Sequence, residues 1–251
     1  MKVLILSDVH AFYNAFLAVE KKEKTWDKLL FLGDAVDFGL EAHECVTWLR
    51  EHDALCVMGN HDAGILHKID GGATRGDPEK ATSFAQQNID TLSDEDIAYM
   101  RTWPEERVET IDGLTYLMMH IYQHEDGDGD AFAHQLADYK YITKGVAYWE
   151  KKVGPRTNYA RGVLLTGDTH QCVISLLRDN LMFMNPGAMG YLLGEDYHFR
   201  GGHYIVVEDG KPEMRWVDYD TTEDYRILKT NAFEGYDKMA GCNQLEPWAV
   251  R

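Results

Sequence analysis

The chain opens with short apolar runs separated by longer amphipathic stretches. Val3 to Leu6, Leu29 to Leu32 and Leu55 to Met58 read as strands. Between them, Ala15 to Lys24 carries Phe16, Val19 and Glu20 at helical spacing, and Glu41 to His52 sets Cys45, Trp48 and Leu49 on one helix face. Ser93 to Asp96 has the spacing of a capping box, which predicts a short helix ending before Pro104. Beyond it the pattern changes to hairpins. Val108 to Ile111, the turn Asp112-Gly113 and Leu114 to Met119 form the first, and turn signals recur at Asp179-Asn180 and Asp209-Gly210. Strands alternating with helices, followed by hairpins, predict an α/β (α+β) fold with two sheets packed face to face and helices outside. With no internal repeat, low-complexity segment or linker, residues 1–251 read as one domain. The stretch from Tyr122 to Tyr159 is polar at first, then aromatic and helical, and reads as a cap or insertion; a tail begins at about residue 221.

Composition narrows the class. A hydrophobic fraction of 45% suits a globular protein with a substantial core. The net charge of −17 opposes non-specific binding to nucleic acid or anionic membranes, but not binding of a small phosphorylated substrate once cations are bound. The four cysteines form no close metal-binding pair, and Cys45 and Cys56 sit in apolar segments as buried free thiols. The apolar stretch at the amino end is too short for a signal peptide, and no run approaches the ~18 apolar residues of a membrane span. A cytoplasmic protein with no membrane partner is expected.

Five clusters of Asp, His and Asn then stand out, in order: Ser7-Asp8-Val9-His10, Gly33-Asp34, Gly59-Asn60-His61-Asp62, His120, and Gly167-Asp168-Thr169-His170. Taken singly, an Asp after a strand is usually a turn or helix cap, and His120 after Tyr116 to Met119 reads equally well as a core histidine. As an ordered set of ligands at strand ends they have a different meaning, because open sheets bind ligands outside the carboxyl ends of their strands. Carboxylates mixed with imidazoles fit a hydrolytic metal centre better than a thiolate-rich structural zinc site.

These clusters, with Asn185-Pro186-Gly187, resemble those of the calcineurin-like metallophosphoesterases. Gly33-Asp34-Ala35-Val36-Asp37-Phe38-Gly39 and Glu44-Cys45-Val46 are similar to the bacterial and archaeal branch of phosphodiesterases and phosphatases, and the resemblance runs from Met1 to about Asp220. It implies a four-layer α/β/β/α sandwich and a dinuclear centre. Asp8, His10 and His170 would hold one metal, and Asn60, His120 and Asp168 the other, with Asp34 bridging. The implied chemistry is hydrolysis of phosphate mono- or diesters by a metal-bridging hydroxide. His61 would act on the leaving group, oriented by Asp37 or by Asp62. Two divalent ions are expected, manganese first, with iron, zinc, magnesium or nickel as alternatives; the partner is a small phosphorylated substrate or a phosphoprotein.

Two positions depart from the family pattern: Asp168 stands where His is usual, and Ile121 where Gly is usual. Two divalent ions against Asp8, Asp34 and one hydroxide sum to about +1, and Asp168 takes that to about 0. The second site then favours harder ions and attracts phosphate dianions less, or else Asp168 ligates through water. A catalytically weak or inactive scaffold is therefore the alternative reading. Glu125, Asp126, Asp128 and Asp130 resemble the start of an EF-hand, but no glycine or terminal Glu follows at the required spacing, so a solvated loop or lid is expected there.

Overall fold

The strand β1 (Lys2–Leu6) lies at the middle of one sheet, pairing in parallel with β2 (Lys28–Phe31) and antiparallel with β9 (Gly201–Glu208). The computed structural model describes residues 1–72, 81–121, 139–154, 161–178, 180–190 and 201–220. β3 (Leu55–Cys56) extends this sheet beside β2, and β10 (Lys211–Asp218) closes its far edge, giving the order β10-β9-β1-β2-β3. The second sheet is built from β4 (Glu106–Ile111), β5 (Leu114–Met119), β6 (Arg161–Leu165), β7 (Cys172–Arg178) and β8 (Leu181–Pro186), in the order β4-β5-β6-β8-β7. All three hairpins expected from turn signals are antiparallel pairs: β4 with β5, β7 with β8, and β9 with β10.

Strand periodicity sorts the core into layers, because successive side chains point to opposite faces. From β1, Val3 and Ile5 join Leu30, Leu32, Tyr116, Met118, Val163, Leu165, Ile205 and Val207 between the two sheets. Leu4 and Leu6 face the other way, onto Phe16, Val19, Trp48 and Leu49 of helices α1 (Tyr13–Glu23) and α2 (Ala42–Glu51). On the outer face of the second sheet, Leu117, Leu164 and Phe183 meet Val146 and Trp149 of helix α6 (Tyr139–Val153). The order of layers is thus helix, sheet, sheet, helix. The central strands are covered on both faces, which is why β1, β2 and β6 read as near-continuous apolar runs.

Two helices go beyond the sequence reading. Helix α3 (Asn60–Ile69) starts inside a ligand cluster, and α4 (Ala81–Thr91), which sets Ala85 and Ile89 against the core, was not anticipated from the sequence. The expected helix α5 (Asp94–Met100) is present, with Ser93 as its cap. The helical half of the stretch read as a cap is α6, an outer layer packed on β5 and β7. Residues 122–138, with their acidic cluster, and the tail from 221 lie outside the described residues. Cys45 and Cys56 are buried free thiols. Among the described residues, no helix is long and apolar enough to cross a membrane.

Candidate metal centre

Both sheets deliver side chains to one edge. Asp8 and His10 follow β1, Asp34 follows β2, and Asn60 with His61 opens α3 just after β3. From the other sheet, His120 follows β5, and Asp168 and His170 follow β6. The turns are tight enough to force left-handed backbone on non-glycine residues: φ is 54° at Asp8, 50° at His10, 58° at Asp34, 67° at Asp168 and 57° at His170. Such conformations persist only where surrounding bonds over-determine them. Here Asp8 N donates to Gly33 O at 3.0 Å and His10 N to Asp34 O at 3.0 Å. Gly33 is required: its φ is 95°, and a Cβ there would lie 2.6 Å from Gly59 N and 2.9 Å from His120 Nδ1.

The side chains converge as two groups, Asp8 with His10 and His170, and Asp8 with Asp34 and His120; within each, the ligand atoms all lie within 4.8 Å of one another. His10 and His170 face each other Nε2 to Nε2 at 3.2 Å, and His170 Nε2 lies 3.2 Å from Asp8 Oδ1. Asp34 Oδ2 sits between the groups, 3.2 Å from His120 Nε2 and 3.8 Å from His10 Nε2. Asn60 Oδ1 is 2.9 Å from His120 Nε2. Asp168 is on the same side, its Oδ1 3.9 Å from His120 Nε2 and its N–H donating to Asp8 Oδ2 at 3.3 Å. All seven expected ligands therefore surround one edge site.

The donor set fits divalent cations. Asp8 Oδ1 is buried, with His170 Nε2 at 3.2 Å and His10 Nε2 at 4.0 Å, so one carboxylate oxygen and two imidazole nitrogens stand within reach of a single cation. Nδ1 of His120 donates to Leu32 O at 2.6 Å, and Nδ1 of His10 to Val36 O at 3.3 Å. Backbone acceptors on Nδ1 fix the tautomer that offers the Nε2 lone pair to a metal.

Beside the ligands, His61 Nδ1 donates to Asp37 Oδ2 at 2.7 Å, while its Nε2 lies 4.0 Å from Asp34 Oδ2. Asp62 does not share that role. Its carboxylate instead accepts backbone N–H groups from Asp34 (2.8 Å), Ala35 (2.9 Å), Val36 (3.3 Å) and Gly59 (3.0 Å), so it holds the ligand loop rather than the histidine. Asn185 supports the opposite loop: its Nδ2 donates to Gly167 O at 2.7 Å, and its Oδ1 accepts Gly187 N–H at 2.9 Å. One neighbour had been given no role from the sequence, the Phe38 ring, 4.9 Å from the rings of both His10 and His61.

A family model for the calcineurin-like phosphoesterase superfamily domain matches residues 1–208. The chain belongs to that superfamily. It is 25% identical over 232 residues to an uncharacterized protein of Methanocaldococcus jannaschii, covering 91% of this chain and 92% of that one. Among solved structures it is similar to a metallophosphoesterase from Sphaerobacter thermophilus, with a TM-score of 0.66 and 19% identity over 92% of this chain and 94% of that one. A hypothetical protein from Pyrococcus horikoshii gives a TM-score of 0.68 at 17% identity, with the same 92% and 94% coverage. These likenesses share the fold.

Electrostatics in this phosphoesterase site call for positive charge. Burial disfavours a charged His120, yet the charge and hydrogen bond of Asp34, with Asp8 and Asp168 beyond, push its pKa up to about 10. His61 is likewise pushed up to about 9, burial being outweighed by the bond to Asp37 and the charges of Asp34 and Asp37. His10 goes the other way, down to about 4, because burial outweighs the pull of Asp34. A pocket that draws protons onto two imidazoles offers the same field to a cation.

Proposed function

We propose that this superfamily member hydrolyses phosphate mono- or diesters with two divalent cations, manganese foremost. Asp8, His10 and His170 would hold one cation and Asn60, His120 and Asp168 the other, with Asp34 between them. Bound there, the cations supply Lewis acidity, lowering the pKa of water and drawing charge off a phosphoryl oxygen. The protein's own contribution is at the leaving oxygen. The observation that carries the reading is the His61–Asp37 pair, bonded at 2.7 Å beside the ligands. Asp37 accepts the Nδ1 proton and so leaves Nε2 directed at the site, where it donates a proton to the departing oxygen. A site that only bound cations would have no use for an oriented imidazole next to them.

The net charge of −17 and the free thiols support a cytoplasmic location and a small phosphorylated substrate or phosphoprotein rather than nucleic acid in bulk. The test is a screen of phosphate mono- and diesters with the chelated protein, adding manganese, zinc, iron, nickel or magnesium in turn. Turnover restored by one of these metals supports the reading. Stoichiometric metal binding without turnover of any ester supports the scaffold reading instead.

A further inference from the structure

We propose that Asn88, on helix α4, is a positioning residue that keeps the Asp37 carboxylate on His61; the proposal rests on the hydrolase reading above. Asp37 and Phe38 are consecutive non-glycine residues in left-handed backbone, with φ of 73° and 66°. Two such residues in a row open readily into ordinary loop conformations unless both flanks are tied. Asn88 ties both. Its Oδ1 accepts the Asp37 N–H at 2.9 Å, and its Nδ2 donates to Gly39 O at 2.9 Å, so one planar amide brackets the loop. Because one partner is a donor and the other an acceptor, the flipped amide would oppose both bonds.

The bracket is anchored from the interior. Asn88 is fully buried, and α4 packs on α2 and α3. The loop cannot shift inward, since even a Cβ on Gly39 would lie 2.3 Å from Ala11 O. Within it, Asp37 Oδ1 accepts the Phe38 N–H at 2.9 Å, which turns Oδ2 toward His61 Nδ1. Releasing the backbone of Asp37 therefore releases the carboxylate, although Asn88 touches neither His61 nor the ligands through any of these bonds.

The decisive readout does not need turnover. In metal-free protein with nitrogen-labelled histidine, the His61 Nδ1 proton bonded to Asp37 gives a far-downfield resonance, identified by its loss in Asp37→Ala. Asn88→Ala should lose it or exchange it rapidly. Leu92→Ala, which removes buried bulk from the same helix-end region without touching the loop, should keep it. Where the alanine variant does not fold, Asn88→Asp fills the same volume, lacks the donor to Gly39, and should weaken the signal. On a poor-leaving-group ester, Asn88→Ala should lower turnover about tenfold, a part of the ~10²–10⁴ that a positioned acid contributes. In an Asp37→Ala background it should change turnover by less than about twofold, because residues acting through one another are not additive. A retained resonance in Asn88→Ala, an equal loss in Leu92→Ala, or independent losses in the double variant would overturn the proposal. If no ester is turned over, the hydrolase reading fails, while the resonance alone still decides what Asn88 does.

Discussion

Asp62 stands behind Asp34, its Oδ2 accepting the Asp34 N–H at 2.8 Å while the Asp34 carboxylate faces His120. With the amides of Ala35, Val36 and Gly59 also on Asp62, one buried side chain satisfies four backbone donors. Each donor left bare in the interior costs ~1–3 kcal/mol. Asp62→Ala should therefore destabilise the chelated protein by about 3 kcal/mol or more, lowering Tm by roughly 6–12 °C for a chain of this size. Asp62→Asn, which keeps one acceptor oxygen, should cost less. A thermal melt in which Asp62→Ala unfolds with the wild type would show that the loop has other support.

Metal content separates the two ligand groups. Asp34 Oδ2 reaches towards both His10 and His120, whereas His170 Nε2 reaches Asp8 and His10. Asp34→Asn should strip or cripple both sites, and His170→Ala should mainly weaken the first. Elemental analysis after purification reads this directly. Two equivalents retained by a fully active Asp34→Asn would end the assignment.

Chemistry at the leaving group is separable from metal binding. His61→Gln should keep its metals and lose roughly 10²–10⁴-fold in rate on poor leaving groups. With nitrophenyl esters, whose leaving group needs little protonation, the loss should shrink. Equal losses across a leaving-group series would mean that His61 binds phosphate instead of donating a proton.

Much of this site was legible because its ligands punctuate apolar strands. Asp8, Asp34, His120 and Asp168 each follow a run that is buried on both faces, so the periodicity of the fold and the order of the ligands are one signal. Helix α3 was hidden for the opposite reason: its first turn is itself the ligand cluster Asn60-His61-Asp62, and Gly64 interrupts the rest. Of the two carboxylates that the sequence offered as partners of His61, the bond goes to Asp37, and Asp62 is taken up by backbone amides. At the third position of α3 its side chain turns back to the Gly59 amide, and a Gly-x-x-Asp start lacks the Ser or Thr that announces a capping box. Left-handed backbone at the ligands falls on Asp and His, which adopt it more readily than most non-glycine residues, but it is the tertiary bonds around each turn that fix it.

At position 168 the family's usual His is Asp. If the carboxylate ligates directly, Asp168→His should raise affinity for zinc relative to manganese and strengthen inhibition by inorganic phosphate, since one negative charge is removed. Titrating both metals into both variants, while following phosphate inhibition, checks this. Unchanged metal preference and phosphate affinity would place Asp168 outside the coordination sphere.

Away from the site, Glu23 is 6% exposed and bonded at 2.7 Å to both Lys2 Nζ and Arg215 Nη1, with Tyr204 as a third donor. Burial alone would raise its pKa, but Lys2, Tyr204 and Arg215 together hold it below the ordinary 4.5. A depressed folded pKa stabilises the native state above 4.5, and that contribution is lost as pH falls through the lowered value. Denaturant midpoints of wild type and Glu23→Gln, compared from about pH 6 to about pH 3, should thus converge on acidification. A gap that stays constant over that range would rule out an ionised Glu23 as its source.

The ligands come from both sheets, Asp8, His10, Asp34 and Asn60 from one and His120, Asp168 and His170 from the other. Between those sheets the packing is largely apolar, with a few crossing hydrogen bonds such as His120 Nδ1 to Leu32 O and Arg107 Nε to Cys56 O, and apolar packing is strong but non-directional and resists sliding poorly. Cations held by both would rivet the layers in register at the one edge where their strands end. Whatever affinity the ions have for the aligned sandwich is then added to its resistance to unfolding by mass action. Occupancy of the centre and alignment of the core become a single equilibrium, so changes in metal supply would be felt in the protein's lifetime as well as in its activity.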